Sequence, residues 1–174
     1  MDYISVLQSG TSRKLIDSIV DDVFSTPENL SVIFELIFHD DIKIAWKAAW
    51  AIEKIVRKYP KLINSQQQDR IEILFLRTKH SGLQRILMSI LYALPVQKKI
   101  NVDILNTCFD IVSSDKYSIA VQSLALKILV NYCTIEKELI PELEAYLESM
   151  DEYILAPAML SSKRFALKAL SKSR

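Results

Sequence analysis

Apolar residues recur at intervals of three and four along almost the whole chain, which predicts amphipathic helices rather than strands. The clearest apolar stripe follows Asp40-Asp41 and contains Ala45, Ala48, Ala49 and Ile52. The pattern returns after 38 residues, after another 38 and after a further 41, at Leu83, Ile86, Leu87, Ile90, Val121, Leu124, Ala125, Ile128, Ser162, Phe165, Ala166 and Ala169. A helix that returns at such a spacing predicts an array of similar units.

A shorter apolar stripe precedes each of these helices, so each unit is predicted to be a helical pair. The first helices are expected to begin near residues that can cap them, which are Thr26, Ser65, Asn101 and Thr134. We predict four pairs, at residues 26–59, 65–95, 101–133 and 135–171, within a single domain of residues 1–174. Residues 1–25 do not match the repeat and are predicted to form a capping pair at the end of the stack.

The segment from Asp40 to Ile52, Asp-Asp-Ile-Lys-Ile-Ala-Trp-Lys-Ala-Ala-Trp-Ala-Ile, resembles the turn and second helix of a HEAT repeat. The likeness lies in the acidic turn and the Ala-Ala-x-x-Ile core, and it extends over about residues 26–171. It implies an all-α, right-handed α–α superhelix, or solenoid, whose second helices line the concave side. The family's proline in the first helix occurs only as Pro141. HEAT arrays serve mostly as binding surfaces, so the resemblance implies a protein-interaction module.

Length and composition narrow the classes further. A chain of 174 residues, 50% of them apolar, can bury one continuous core. The chain has only two glycines, and this scarcity disfavours a β-sandwich or a dinucleotide-binding fold. The start of the sequence lacks the basic region of a signal peptide, and no apolar run approaches the roughly 20 residues of a membrane span. Cys108 and Cys133 lack paired spacing and are expected to be free buried thiols. These features predict a cytoplasmic protein with no membrane partner.

The sequence contains no motif typical of a catalytic or metal site. His39 and His80 each precede a second helix and are expected to be turn or cap residues. We therefore predict no catalytic residue, no metal and no cofactor. DNA glycosylases built on HEAT-like repeats share the predicted architecture, although no motif carries their catalytic residues onto this chain. A nucleic-acid-binding protein of this kind remains the alternative function.

Charge and polarity single out one surface. The net charge is only +1, but the second helices are basic on balance and the rest of the chain is acidic. Two adjacent repeat positions stay polar and carry no carboxylate in any of the four units. We call these residues the polar row; they are Trp46, Lys47, Gln84, Arg85, Gln122, Ser123, Lys163 and Arg164. A face that is polar in every unit is the solvent face of its layer, whereas the neighbouring position of Trp50 is apolar throughout and predicts packing.

We expect the polar row to line one continuous, exposed groove that is free of acidic side chains. An exposed Trp46 beside lysine and arginine suits a binding surface for a partner protein with an acidic or phosphorylated segment. Two other interpretations remain open. The row is either a solvated surface with no partner, or a contact to nucleic acid, whose affinity would fall steeply with salt.

Overall fold

The computed structural model describes residues 1–97 and 99–173, which contain ten α-helices, one 3-10 turn at Pro60–Leu62 and no strand. The prediction of an all-α fold is therefore confirmed. The helices are α1 (Tyr3–Ser9), α2 (Arg13–Ser25), α3 (Asn29–Leu36), α4 (Ile42–Lys58), α5 (Ser65–Arg77), α6 (Ser81–Ala93), α7 (Val102–Val112), α8 (Ile119–Ile135), α9 (Leu139–Ser149) and α10 (Pro157–Ser173).

The chain forms two compact units, Met1–Pro95 and Val96–Arg174. In the first unit α4 packs against α1, α2, α3 and α6, and α5 packs against α6. In the second unit α8 packs against α7, α9 and α10, and α9 packs against α10. Successive helices are in contact as α1–α2, α3–α4, α5–α6, α7–α8 and α9–α10. The division into a capping pair and four repeats stays a prediction. The handedness of the superhelix and the single-domain organisation stay predictions.

The second helices begin at Ile42, Ser81, Ile119 and Pro157, so the spacing is 39, 38 and 38 residues. Four positions that repeat every 38 residues are buried in all four helical pairs: Ala45, Leu83, Val121 and Met159; Ala49, Leu87, Ala125 and Lys163; Ile52, Ile90, Ile128 and Ala166; and Val56, Leu94, Tyr132 and Leu170. The predicted 41-residue interval before the last unit is wrong. Phe165, assigned to the core by that interval, is 53% exposed, because in the 38-residue register the buried positions fall at Lys163 and Ala166 instead.

Side-chain caps explain where most helices begin. Asp41 accepts a hydrogen bond from the backbone N–H of Lys43 and caps α4, and Asn101 caps α7 as predicted. His80 caps α6 through Nδ1, and Nδ1 of His39 accepts from the N–H of Asp41, which confirms both histidines as cap or turn residues. Asp41 and His80 thereby position the starts of the two second helices in the first unit.

Three predicted helix starts need correction. Ser65 is the first residue of α5, and the cap is Asn64, which forms a reciprocal capping box with Gln67. Thr26 ends α2 instead of capping α3, because its N–H donates to the carbonyl of Asp22. Thr134 lies inside α8, where its hydroxyl donates to the carbonyl of Asn131. A threonine hydroxyl can also donate to a preceding carbonyl inside a helix, so a threonine alone does not mark a helix start.

Within each of the two units, specific side-chain contacts join the first helices of neighbouring helical pairs. In the first unit Arg70 of α5 donates two hydrogen bonds, of 2.6 and 2.8 Å, to the carboxylate of Glu35 on α3. Its guanidinium also lies 4.2 Å from the ring centroid of Phe38. In the second unit the rings of Phe109 and Tyr146 meet edge to face at 6.0 Å. Cation–π and edge-to-face contacts of this kind stabilise the fold beyond what the burial of apolar area contributes.

Candidate partner-binding groove

A groove of about 610 Å³ lies in the first unit where α4, α6 and the start of α2 meet. The helix α4 supplies most of its wall, α6 supplies two residues, and the turn into α2 supplies the rest. We call it the basic groove; it is lined by Thr11, Arg13, Trp46, Trp50, Glu53, Lys54, Arg57, Arg85 and Ile86. Four of these side chains are cationic and one is a carboxylate. Its volume falls within the range usual for ligand clefts.

Two tryptophans one turn apart on α4 form the apolar part of the basic groove. The ring centroids of Trp46 and Trp50 are 6.0 Å apart. Trp46 is half-buried rather than exposed, and its indole nitrogen is inaccessible and lacks a hydrogen-bond partner in residues 1–97 and 99–173. The reason is the close approach of α6. A Cβ atom added to Gly82 would lie only 3.2 Å from that nitrogen, so Gly82 leaves room for the indole.

The carboxylate of Glu53 is neutralised within the wall of the groove. It accepts a hydrogen bond of 2.6 Å from the hydroxyl of Ser89 on α6 and pairs with Arg57 at 2.9 Å. Arg57 also donates to the Ser89 hydroxyl at 3.0 Å. This triangle joins α4 to α6. It leaves the only acidic side chain of the lining with an adjacent cation and with little capacity to repel an anion.

The remaining cations of the groove differ in how far they are engaged. Lys54 donates to Asp17, and Arg13 lies 3.7 Å from the same carboxylate. The hydrogen bond from Lys54 holds the pKa of Asp17 below its ordinary value. Arg85 is exposed and has neither a hydrogen bond nor an ion pair from its side chain within the part of the chain that the structure describes. The guanidinium of Arg85 is thus available to an incoming anion.

Lys47 is the first member of the polar row that is not where the sequence places it. It is only 6% exposed. Its ammonium donates to the carbonyl oxygens of Leu7 and Gly10, at the end of α1. The last carbonyls of a helix lack partners within the helix, and a buried cation can satisfy them. The expectation that Lys47 lies on the exposed surface is therefore corrected, because α1 packs across α4 and covers it.

Lys163 and Arg164 also depart from the expected arrangement. Lys163 is 4% exposed, and its ammonium donates to the carbonyl of Met150 at 3.0 Å and pairs with Glu152 at 3.1 Å. Arg164 is exposed and lies 3.5 Å from the same carboxylate. The hydrogen bond from Lys163, with a smaller contribution from Arg164, holds the pKa of Glu152 below its ordinary value. The polar row is therefore not free of acidic side chains at its last helix.

The other three members of the row have intermediate exposure. The amide of Gln122 donates to the carbonyl of Ser114 at 2.8 Å, and the hydroxyls of Ser123 and Ser162 are 2.8 Å apart. These contacts join elements within the second unit. Gln84 lies beside Arg85 on α6. The structure thus brings Trp46 and Arg85 together in one groove, whereas Gln122 and Ser123 take part in packing.

Sequence reasoning missed several residues of the basic groove. Glu53, Lys54 and Arg57 follow Trp46 and Trp50 at helical spacing on α4, so their common face was readable from the sequence. The contribution of Thr11 and Arg13 was not readable, since residues 1–25 do not share the register of the repeats. Trp50, expected to be buried in packing, is half-exposed and part of the wall.

Two general observations apply to residues 1–97 and 99–173. No group of three or more His, Cys, Asp or Glu side chains there is placed to hold a metal ion. No helix in that part of the chain combines the length and the apolarity needed to cross a membrane. Cys108 and Cys133 are free and buried, and desolvation raises the pKa of their thiols to about 12 and about 11.

Comparison with known proteins agrees with the repeated helical pairs. The family model for the HEAT repeat domain matches residues 3–170. HEAT repeats generally serve as protein-interaction scaffolds, and the family is typically non-catalytic. A search among curated proteins finds no match to this chain. Because the family model covers nearly the whole length, including α1 and α2, the chain belongs to the HEAT repeat family.

Proposed function

We propose that this protein is a non-catalytic interaction module that binds an acidic or phosphorylated segment of another protein in the basic groove. The observation that carries the proposal is the free guanidinium of Arg85 beside two tryptophans. Of the polar row, Trp46 and Arg85 belong to the proposed site. We place the activity in the cytoplasm, where thiols such as Cys108 and Cys133 stay reduced.

The chemistry of the groove favours an anionic group next to an apolar one. A guanidinium presents donors in a planar fork that matches two oxygens of a carboxylate or phosphate. Trp50 offers a half-exposed aromatic face to the neighbouring side chain of the ligand. Arg13 and Lys54 share a single carboxylate, Asp17, so the groove keeps an excess of positive charge. An acidic peptide with an aromatic or aliphatic residue beside its acids fits these features.

The test is the affinity of the full chain for a labelled Glu-rich peptide, measured by fluorescence anisotropy at moderate salt. Arg85→Glu should weaken binding more than about tenfold, equivalent to about 1.4 kcal/mol. Lys43→Glu is the matched control, because Lys43 is exposed on α4 and lies outside the groove. It changes the net charge equally and should leave the affinity nearly unchanged. Equal weakening by both variants would show that only net charge matters and would contradict the proposal.

A single-stranded oligonucleotide provides the second arm of the same experiment. Contacts to phosphates release counterions, so the logarithm of affinity falls linearly and steeply with the logarithm of salt. The proposal expects weak oligonucleotide binding that Arg85→Glu and Lys43→Glu reduce alike. Tight, steeply salt-dependent binding that depends on Arg85 would instead assign the groove to nucleic acid.

A further inference from the structure

The loop between α9 and α10 exposes large apolar side chains to an unusual degree. Tyr153 is 99% exposed and Ile154 is 82% exposed, more than any other large apolar residue described. Two carboxylates, Asp151 and Glu152, come directly before them. We call residues 150–156 the exposed loop. Large apolar side chains that protrude together next to charges are typical of segments that insert into a partner.

The exposed loop is held in place at its base. The buried ammonium of Lys163 donates to the carbonyl of Met150 and pairs with Glu152, so one side chain fixes two adjacent residues. The carboxylate of Asp151 accepts a hydrogen bond of 2.9 Å from the N–H of Tyr153. A segment ordered before binding loses less conformational entropy when it docks. The contacts of Lys163 and Asp151 therefore present Tyr153 and Ile154 for association.

A second groove, separate from the basic groove, has a matching apolar character. It lies in the first unit, where the end of α2, the start of α3 and the turn after α4 meet, and has a volume of about 440 Å³. We call it the apolar groove; it is lined by Val23, Phe24, Pro27, Leu30, Tyr59 and Leu62. Tyr59 and Leu62 are exposed. All six side chains are apolar or aromatic, which suits an aromatic and an aliphatic side chain of a ligand.

Positive charge flanks the α4 side of the apolar groove. Lys58 lies 5.3 Å from the ring centroid of Phe24, and Lys61 lies between the lining residues Tyr59 and Leu62. Both lysines are exposed. The acids of the exposed loop carry the opposite sign, and Asp151 has no ion pair in residues 1–97 and 99–173. An acidic loop with an apolar tip thus complements an apolar groove with a basic edge.

We propose that the exposed loop of one copy of this chain docks into the apolar groove of a second copy. Tyr153 and Ile154 fill the groove, and Asp151 faces Lys58 and Lys61. One such contact joins two different surfaces, so it is heterologous: the copy that gives its loop keeps a free groove, and the copy that gives its groove keeps a free loop. Contacts of this kind continue from copy to copy unless the rotation between copies closes a ring. This self-association uses neither Arg85 nor the tryptophans, and it stands independently of the proposed function.

Sedimentation velocity of the full chain over a wide concentration range tests the proposal. The wild-type protein should sediment faster as its concentration rises. A loop variant, Tyr153→Ser with Ile154→Ser, and a groove variant, Leu62→Asp, should each stay monomeric. An equimolar mixture of the two variants should form a dimer and grow no further, because one intact groove and one intact loop remain. Circular dichroism spectra equal to wild type would show that both variants are folded.

Matched controls remove other exposed side chains of the same kind. Ile73→Ser and Val102→Ser each delete an exposed apolar residue outside the two surfaces and should leave self-association intact. Lys61→Glu should weaken association, whereas Lys79→Glu, at another exposed lysine of the first unit, should not. The proposal is overturned if the wild-type protein stays monomeric, if either variant still self-associates, or if the mixture fails to dimerise.

Discussion

The second helices of the two units carry polar side chains at corresponding positions, but those side chains serve different purposes. On α4 and α6 of the first unit, Trp46 and Arg85 line an open groove, and Arg85 has no side-chain partner in the described residues. On α8 of the second unit, Gln122 and Ser123 are engaged in hydrogen bonds to Ser114 and Ser162. A polar position in a repeat is therefore available for binding only where no element of its own unit supplies a partner.

The two buried lysines sharpen this comparison. Lys47 joins α4 to the end of α1, and Lys163 joins α10 to the end of α9. Each ammonium group donates hydrogen bonds to carbonyl oxygens that a helix end leaves without partners. Lys163 also has Glu152 as a counter-ion, whereas the contacts of Lys47 are to carbonyl oxygens. The same side chain thus serves as a cap for a neighbouring helix in both units.

Truncation of the core gives the largest expected effect and tests the 38-residue register in both units. Ile90→Ala and Ile128→Ala remove equivalent, fully packed side chains, and each should lower the free energy of unfolding by about 2–4 kcal/mol. Phe165→Ala should cost less than about 1 kcal/mol, because Phe165 is exposed. Urea unfolding measures all three. A loss at Phe165 equal to that at Ile128 would restore the 41-residue interval and contradict the register seen here.

Replacement of the two lysines should give the next largest effect, with different local consequences. Lys47→Ala leaves the carbonyls of Leu7 and Gly10 without their donor, and such a buried orphan costs about 1–3 kcal/mol. Lys163→Ala should cost a similar amount. Hydrogen exchange should accelerate in α1 for the first variant and in residues 150–156 for the second. Unchanged exchange in both segments would show that the lysines do not hold them.

The smallest expected effect is on stability in acid. It concerns the ion pair between α3 and α5 of the first unit, whereas α7 and α9 of the second unit are joined by the aromatic rings of Phe109 and Tyr146. The hydrogen bonds from Arg70 lower the pKa of Glu35, so this pair stabilises the fold above the ordinary carboxyl pKa. That contribution disappears as pH falls through the lowered folded-state pKa. Because Glu35 is largely exposed, Glu35→Gln should cost less than about 1 kcal/mol at neutral pH. Thermal melts of variant and wild type should converge in acid; a constant difference would contradict this account.

Most of the helical framework was predictable from the sequence. Apolar periodicity indicated the helices, and Asp41 and Asn101 marked the starts of α4 and α7. The last register shift was mispredicted because Lys163 occupies a core-facing position, where an apolar search does not expect a lysine. Its burial depends on the carbonyl of Met150, which lies before α10 and outside the helical repeat pattern. Thr134 was misread because threonine also occurs inside helices, bonded to a preceding carbonyl.

The candidate site was less predictable than the fold. The row of polar positions contains Trp46 and Arg85, which line one groove, but it could not separate them from Lys47, since burial by α1 depends on a helix outside the repeat. The same limitation applies to Arg13, which reaches the basic groove from α2. Residues that the repeat generates are visible in its pattern. Residues supplied by α1 and α2 become visible only when those helices are packed against α4.

The most direct test of the central claim uses the fact that the chain has only two tryptophans, Trp46 and Trp50. Their two indole N–H resonances in a nitrogen-15 correlation spectrum report on the basic groove alone. Titration with the Glu-rich peptide should shift both resonances along one binding curve, with the same dissociation constant as anisotropy gives. The shifts should be lost in Arg85→Glu and retained in Lys43→Glu. Peptide binding that leaves both indole resonances unmoved would contradict the claim that the basic groove is the binding site.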